Sequence, residues 1–247
     1  MGEKIRLDKL LSNMGKGSRS EMKDALRYGY IKVNGETLRT GKEKVDPEVD
    51  EILYKGAPVI YKKHIYLMLN KPQGVISATG DKRHKTVVDL VDEAYAHYDV
   101  FPVGRLDIDT EGLLILTNDG ELTHELLAPK KHVPKVYFAQ VDGVVGQADV
   151  EAFTAGITLD DGYACRPSDL VVQSVADGVS KVLLTIHEGK FHQVKRMFEA
   201  VEKPVTYLKR VKMNALELDP ALALGEMKEL SEVEFEALTR GVYEPKV

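Results

Sequence analysis

Three short stretches of this chain bring reactive side-chain types close together. The first, Val103-Gly104-Arg105-Leu106-Asp107-Ile108-Asp109-Thr110-Glu111-Gly112, sets three carboxylates and an arginine between two glycines, just ahead of an apolar run. Carboxylates at this spacing serve acid–base or nucleophilic chemistry, or bind a hard cation, according to what surrounds them. No histidine or further acidic cluster adjoins to complete a metal site, and the absence of Trp leaves a glycoside-cleaving carboxylate pair without an aromatic sugar platform. The second stretch, Lys135-Val136-Tyr137, places a cation and a phenol two residues apart, on one face of a strand. In the third, Glu188-Gly189-Lys190-Phe191-His192-Gln193-Val194-Lys195-Arg196-Met197, helical spacing groups Val194, Met197, Phe198 and Val201 on one apolar side. Lys195 and Arg196 then project elsewhere, and Lys195 adds its charge near the positive end of the helix dipole.

These stretches must be held by a folded body, and the composition supplies one. The chain has 247 residues, 43% hydrophobic and 30% charged, which is ordinary globular usage for one or two domains. No apolar run approaches the ~18 residues of a membrane helix, and Met1-Gly2-Glu3-Lys4-Ile5-Arg6 carries charge where a signal peptide has its apolar core. The single cysteine, Cys165, permits no internal disulfide or multi-cysteine metal site, so a reducing cytoplasm is the expected setting. Candidate strands are Ile65 to Asn70, Gly112 to Thr117, Val136 to Val141, Lys181 to His187 and Val205 to Val211. Candidate helices are Thr86 to Tyr98, Glu121 to Leu127, Asp149 to Ala155, Gln193 to Val201 and Ser231 to Thr239. With no repeating βαβ unit and no Gly-x-Gly-x-x-Gly loop, this predicts an α+β body with a mixed sheet rather than a nucleotide-binding fold.

A net charge of −5 argues against a nucleic-acid partner until it is divided along the chain. Residues 1–44 hold 11 Lys+Arg against 6 Asp+Glu, and Lys181 to Lys212 hold 8 against 3. Leu7, Leu10, Leu11 and Met14 give one short helix its apolar side; Ser18 and Glu21 have the spacing of a capping box for a second, along which Arg19, Lys23 and Arg27 recur every four residues. Tyr30 to Val33 alternates as a strand, and Asn34-Gly35 supplies a hairpin turn. The run RLDKLLSNMGKGSRSEMKDALRYGYIKVNGE resembles the S4 RNA-binding domain, a two-helix and hairpin module with the α-L arrangement, over about residues 5–52. That resemblance implies RNA as partner and makes Arg6, Arg19, Lys23, Arg27, Lys32 and Asn34 the phosphate-facing candidates, which give affinity and orientation rather than sequence reading.

The larger part of the chain also carries a resemblance. GRLDIDTEGLLILTNDG, together with LNKPQGVISA from Leu69, PKKHVPKVY ending at Tyr137 and EGKFHQVKRMFEAV from Glu188, is similar to the pseudouridine synthases typified by the small-subunit ribosomal RNA enzyme. By this resemblance residues 1–60 form the S4 domain with its connector, 61–240 the catalytic domain with a mixed, largely antiparallel sheet flanked by helices, and 241–247 a tail. It implies that Asp107 is the catalytic aspartate, with Asp109 and Glu111 not its equivalents. Tyr137 lies against the target base and handles the proton at uracil C5, while Lys195 pairs with Asp107 and keeps it ionised in a closed pocket.

The implied reaction breaks the bond from uracil N1 to ribose C1′, turns the base, and joins C5 to the same carbon. The nucleotide must first be extruded from the folded RNA. Attack at C1′, addition to the base and removal of a 2′ proton all use an ionised aspartate, and the residues leave the three open. Lys71, Arg105, His192, Gln193 and Arg196 are candidate contacts to phosphates or to the flipped nucleotide. The isomerisation is redox-neutral and implies no cofactor and no metal. The EGKFHQVKRMFEAV form favours uridine 516 of 16S ribosomal RNA, in the RNA or a small-subunit assembly intermediate, over a large-subunit uridine. A non-catalytic S4-bearing assembly factor is the alternative from another class. No membrane partner is implied, and a monomer is expected.

Overall fold

The computed structural model describes residues 4–243, so the first three residues of the signal-peptide reading and most of the expected 241–247 tail lie outside the described residues. Among the described residues no helix is long and apolar enough to cross a membrane. The chain forms two compact units, one of Met1–Ile65 with Asp92–Asp99, the other of Tyr66–Val91 with Val100–Val247.

The first unit runs β1 (Ile5–Arg6), α1 (Leu7–Asn13), α2 (Arg19–Arg27), β2 (Ile31–Val33), β3 (Glu36–Thr37), β4 (Lys44–Val45), β5 (Ile52–Tyr54) and β6 (Ala57–Pro58). The expected apolar positions of both helices, Leu7, Leu10, Leu11, Met14, Met22, Ala25 and Leu26, share one core with Ile31, Val33 and Ile52. The capping box forms: the Glu21 amide donates to Ser18 Oγ at 3.3 Å and the Ser18 amide to Glu21 Oε2 at 2.7 Å, satisfying two otherwise unpaired helix-end donors. Asn34 and Gly35 turn the β2–β3 hairpin with φ of +51° and +83°, the mirror-image turn that their residue types favour.

In the second unit the elements are β7 (Tyr66–Lys71), β8 (Phe101–Pro102), β9 (Glu111–Thr117), α3 (Gly120–Leu127), β10 (Lys135–Asp142), α4 (Gln147–Ala155), β11 (Asp169–Ala176), β12 (Val179–Ile186), α5 (Gln193–Glu199), β13 (Val205–Met213), β14 (Leu216–Glu217), β15 (Met227–Glu229) and α6 (Glu232–Thr239). They build a nine-stranded sheet of order β11-β12-β10-β13-β9-β7-β15, with β14 on β13 and β8 on β9. Every pairing is antiparallel except β9 with β13, so the sheet is mixed and largely antiparallel as expected. All seven residues of β9 are buried. Leu113 and Ile115 join Met68, Leu122, Leu126 and Leu238 in one core cluster, and Leu114 and Leu116, pointing the other way, are equally buried. The Phe153 and Phe198 rings of α4 and α5 meet at 4.8 Å.

Three expectations need correction. Thr86 to Tyr98 is not a helix: two single 3-10 turns, Val88–Leu90 and Ala96–Tyr98, flank a chain that passes from one compact unit to the other at Asp92. The segment Asp92–Asp99 belongs to the first unit, and Tyr98 packs on that unit's core. For the same reason the two units are not the contiguous stretches expected on either side of residues 60 and 61. Strands β11 and β15 went unrecognised because β11 is largely exposed and β15 is three residues long.

Candidate active site

The Asp107 turn is fastened from below by the segment that follows β7. Leu106 and Ser77 are tied twice, the Leu106 amide donating to Ser77 Oγ and that hydroxyl to the Leu106 carbonyl, each at 3.0 Å. The Gly74 amide donates to the Ile108 carbonyl at 2.8 Å, and the Thr110 amide to the Asp107 carbonyl at 3.1 Å. Lys71, wholly buried at the end of β7, donates from Nζ to the carbonyls of Pro72, Asp107 and Thr110, each at 3.0 Å. Burial pushes its amine down to about 8 despite the opposing charges of Asp107, Asp109 and Glu111. This corrects the expectation that Lys71 touches RNA: with no exposed surface and three backbone acceptors, it fixes the turn.

Above the turn, the start of α5 brings Lys195 and the preceding His192 to the carboxylates. Lys195 Nζ lies 3.4 Å from an Asp107 oxygen and 2.6 Å from Asp109 Oδ1, and His192 Nε2 lies 3.6 Å from the other Asp107 oxygen. The expected Asp107–Lys195 pair is present, but Asp109 is the nearer partner. Burial works against the Asp109 charge, yet the Lys195 hydrogen bond and charge hold its carboxyl below the usual range. Sequence reasoning set Asp109 aside; the one-residue spacing from Asp107 within a tight turn was the signal that both carboxylates reach one ammonium. His192 has φ of +48° and its ring stacks on Phe191 at 3.8 Å; Phe191 itself is 75% exposed.

Tyr137 is almost fully buried on β10, opposite Arg210 of β13, whose other neighbour is Gly112 of β9. Two strand spacings, about 9.5 Å, therefore separate the Tyr137 and Gly112 backbones in one row of the sheet. Arg210, also buried, donates from Nε to the Leu113 carbonyl at 2.8 Å. A Cβ on Gly112 would meet the Arg210 carbonyl at 2.2 Å, and Gly112 has φ of +103°, so only glycine permits this parallel pairing. Lys135 turns inward, its amine lowered to about 8 by burial and by the Arg210 charge.

Other expected RNA contacts divide. Arg105 is exposed and makes no ion pair among the described residues. Gln193 is buried and occupied, accepting from the Lys190 amide and donating to Glu188, each at 2.9 Å, so it organises the start of α5 rather than meeting RNA. Arg196 bridges Asp160 and Asp161, which neutralise it and correct its reading as a free phosphate contact. In the first unit Arg6 and Arg19 converge on buried Asp8, at 2.8 and 3.3 Å; the Arg6 hydrogen bond foremost keeps that carboxyl below its ordinary range. Asn34 holds Asp50 and the Glu51 amide with its side chain and so stabilises the hairpin loop instead of standing free for phosphate. Lys23, Arg27 and Lys32 remain exposed.

A carboxylate on a pinned turn, a lysine brought to it by a helix and a separate unit with an exposed basic helix face fit the class of RNA-directed enzymes. The RNA pseudouridylate synthase family model matches residues 65–200 and the S4 domain model residues 5–51. The chain belongs to the RNA pseudouridylate synthase family and is an isomerase that converts uridine in RNA to pseudouridine. It is 47% identical over 234 residues to an uncharacterized RNA pseudouridine synthase of Bacillus subtilis, covering 95% of this chain and 98% of that one. It is 37% identical to ribosomal small subunit pseudouridine synthase A of Escherichia coli, over 93% and 98% of the two chains. A solved pseudouridylate synthase structure superposes with a TM-score of 0.65 at 35% identity, over 95% of this chain and 99% of that chain.

Proposed function

We propose that this enzyme isomerises a uridine of ribosomal RNA, uridine 516 of the 16S molecule foremost, as a cytoplasmic monomer whose first unit grips RNA and whose second carries the chemistry. The observation that carries the reading is the Lys195 ammonium between Asp107 and Asp109, above a turn pinned by Lys71 and Ser77. The similarity to the small-subunit enzyme of Escherichia coli supports the 16S target.

In the reaction the target nucleotide leaves its stack and the site closes over it. The Asp107 carboxylate, with the Lys195 ammonium 3.4 Å away, acts on the extruded nucleotide, and the bond between N1 and C1′ breaks. The base turns, C5 bonds to C1′, the proton on C5 departs with Tyr137 as the assisting group, and N1, freed from the ribose, takes up a proton. Uracil and ribose are both retained, so atoms and electrons balance without a redox partner. Attack at C1′, addition to the base and abstraction of the 2′ proton each draw on the same carboxylate. Arg105 and His192 contact phosphates or the flipped nucleotide.

The test is release of tritium from uracil C5 in small-subunit RNA and pre-subunit particles. Wild type releases it; Asp107→Asn does not, while RNA binding persists. Equal release by both removes Asp107 from the mechanism. Mapping pseudouridines in a strain lacking the protein identifies the target, and loss of a large-subunit pseudouridine with the 16S site intact refutes the 16S reading.

A further inference from the structure

The first unit carries an aromatic and cationic surface that the charge stripe of α2 does not include. Helix α2 ends in a Schellman turn, the Gly29 amide donating to the Leu26 carbonyl at 2.9 Å and the Tyr30 amide to the Ala25 carbonyl at 3.0 Å. The residue in the Tyr30 position of such a turn ordinarily folds an apolar side chain back on the helix. Here Tyr30 is 49% exposed and Tyr28, on the other side of Gly29, is 70% exposed. Their centroids lie 6.0 Å apart with the rings tilted by 34°, so neither ring covers the other. Lys55 turns the β5–β6 hairpin with φ of +51°, donates its amide to the Tyr30 carbonyl at 2.7 Å, and holds Nζ 5.6 Å from the Tyr30 ring and 5.2 Å from the Tyr54 ring. Arg39 reaches the same helix end, donating from Nη1 to the Arg27 carbonyl at 2.8 Å. Neither Lys55 nor Arg39 makes an ion pair among the described residues.

Exposed rings held by a turn, with cations fixed beside them, match what unpaired nucleotides require: planar faces for bases and positive charge for the phosphates between them. A fully paired helix offers no base faces to such a surface. We infer that Tyr28 and Tyr30, with Lys55 and Arg39, form a stacking platform for unpaired nucleotides of the RNA substrate, beside the phosphate-binding stripe of α2. The inference rests on the reading of the first unit as the RNA-gripping part.

The experiment uses the full chain and two RNA hairpins, one fully paired and one carrying a three-nucleotide bulge, titrated over a range of salt. Stacking is worth about 1–3 kcal/mol per base, so at the lower end each tyrosine removed costs roughly fivefold in affinity. Tyr28→Ala with Tyr30→Ala is expected to weaken binding of the bulged RNA by roughly 25-fold, with little effect on the paired RNA and an unchanged salt slope. The double Phe variant keeps wild-type affinity, and Lys55→Gln flattens the salt slope by about one phosphate contact. Melting curves confirm that each variant is folded. Equal losses on both RNAs, or no loss on the bulged one, overturn the platform. Reversal of Arg19, Lys23 and Arg27 is the control: if that leaves binding intact, the RNA reading of the whole unit falls, whereas a loss there beside normal tyrosine variants overturns the platform alone.

Discussion

Replacing Lys71 with methionine separates holding the site from holding the fold. The change preserves the buried stem and removes an ammonium that donates to three carbonyls at 3.0 Å. The Asp107 carbonyl keeps the Thr110 amide as a donor, while those of Pro72 and Thr110 lose the Lys71 donor, at about 1–3 kcal/mol each. Against this, an amine lowered from 10.5 to about 8 is held charged at neutral pH at a cost of about 3 kcal/mol, which the substitution relieves. The two nearly offset, and Lys71→Met is expected to change global stability by between about −1 and +3 kcal/mol in denaturant titrations. Activity has no such offset: with the turn unpinned, Asp107 drifts from Lys195, and kcat in the tritium-release assay falls by an expected ~100-fold, as for misplaced catalytic groups generally. Between pH 8 and 10.5 the unfolded chain binds the Lys71 proton and the folded chain does not, so wild-type stability rises relative to the variant's with pH in that window. A variant with unimpaired kcat would refute the pinning role, and a pH-independent stability difference would refute the charged, buried amine.

Gly112→Ala drives a Cβ to 2.2 Å from the Arg210 carbonyl at a φ of +103° and is expected to cost about 4 kcal/mol, or roughly 10 °C in Tm; an unchanged melt would show that the β9–β13 pairing has slack. Asp109→Asn leaves the Lys195 ammonium to Asp107 alone, so the acid limb of the pH–kcat profile moves to lower pH; a limb that stays put means the Asp109 pair does not bear on the reaction. Asp8→Asn loses a carboxylate whose folded pKa is depressed by Arg6 and Arg19, so its stabilising effect is present above about pH 3.8 and fades as pH falls below. Melts of wild type and variant that fail to converge in acid would contradict that pairing.

Legibility in the sequence followed how local each feature is. Both helices of the first unit, their capping box and the Asn34-Gly35 turn are set by residues within four positions of one another, and all form. The buried strands around the site carry long apolar runs and were also readable. The roles of Lys71, Gln193 and Arg196 were not, because a cation or amide in a motif looks the same whether it faces RNA or a buried acceptor; that depends on partners such as Asp160, 36 residues away. The same holds for Asp109, whose claim on Lys195 spans 86 residues. The break at Asp92 was invisible because the segment after it belongs to another unit's core.

The parallel contact of β9 with β13 also has a temporal side. Glu111 and Gly112 leave the ribosome about 100 residues before Lys209 and Arg210, which at roughly 5–20 residues per second is a wait of about 5–20 s. During it β9 has β7 on one edge and β8 on the other at Leu116 and Thr117, while its Glu111–Gly112 end, next to the Asp107 turn, still lacks β13, and an open strand edge of this kind can recruit foreign chains. Slow pairing of this long-range kind makes the joining of β13 to β9 the step that completes the candidate site. An incomplete chain therefore lacks the Tyr137–Arg210–Gly112 row on which the proposed site is built.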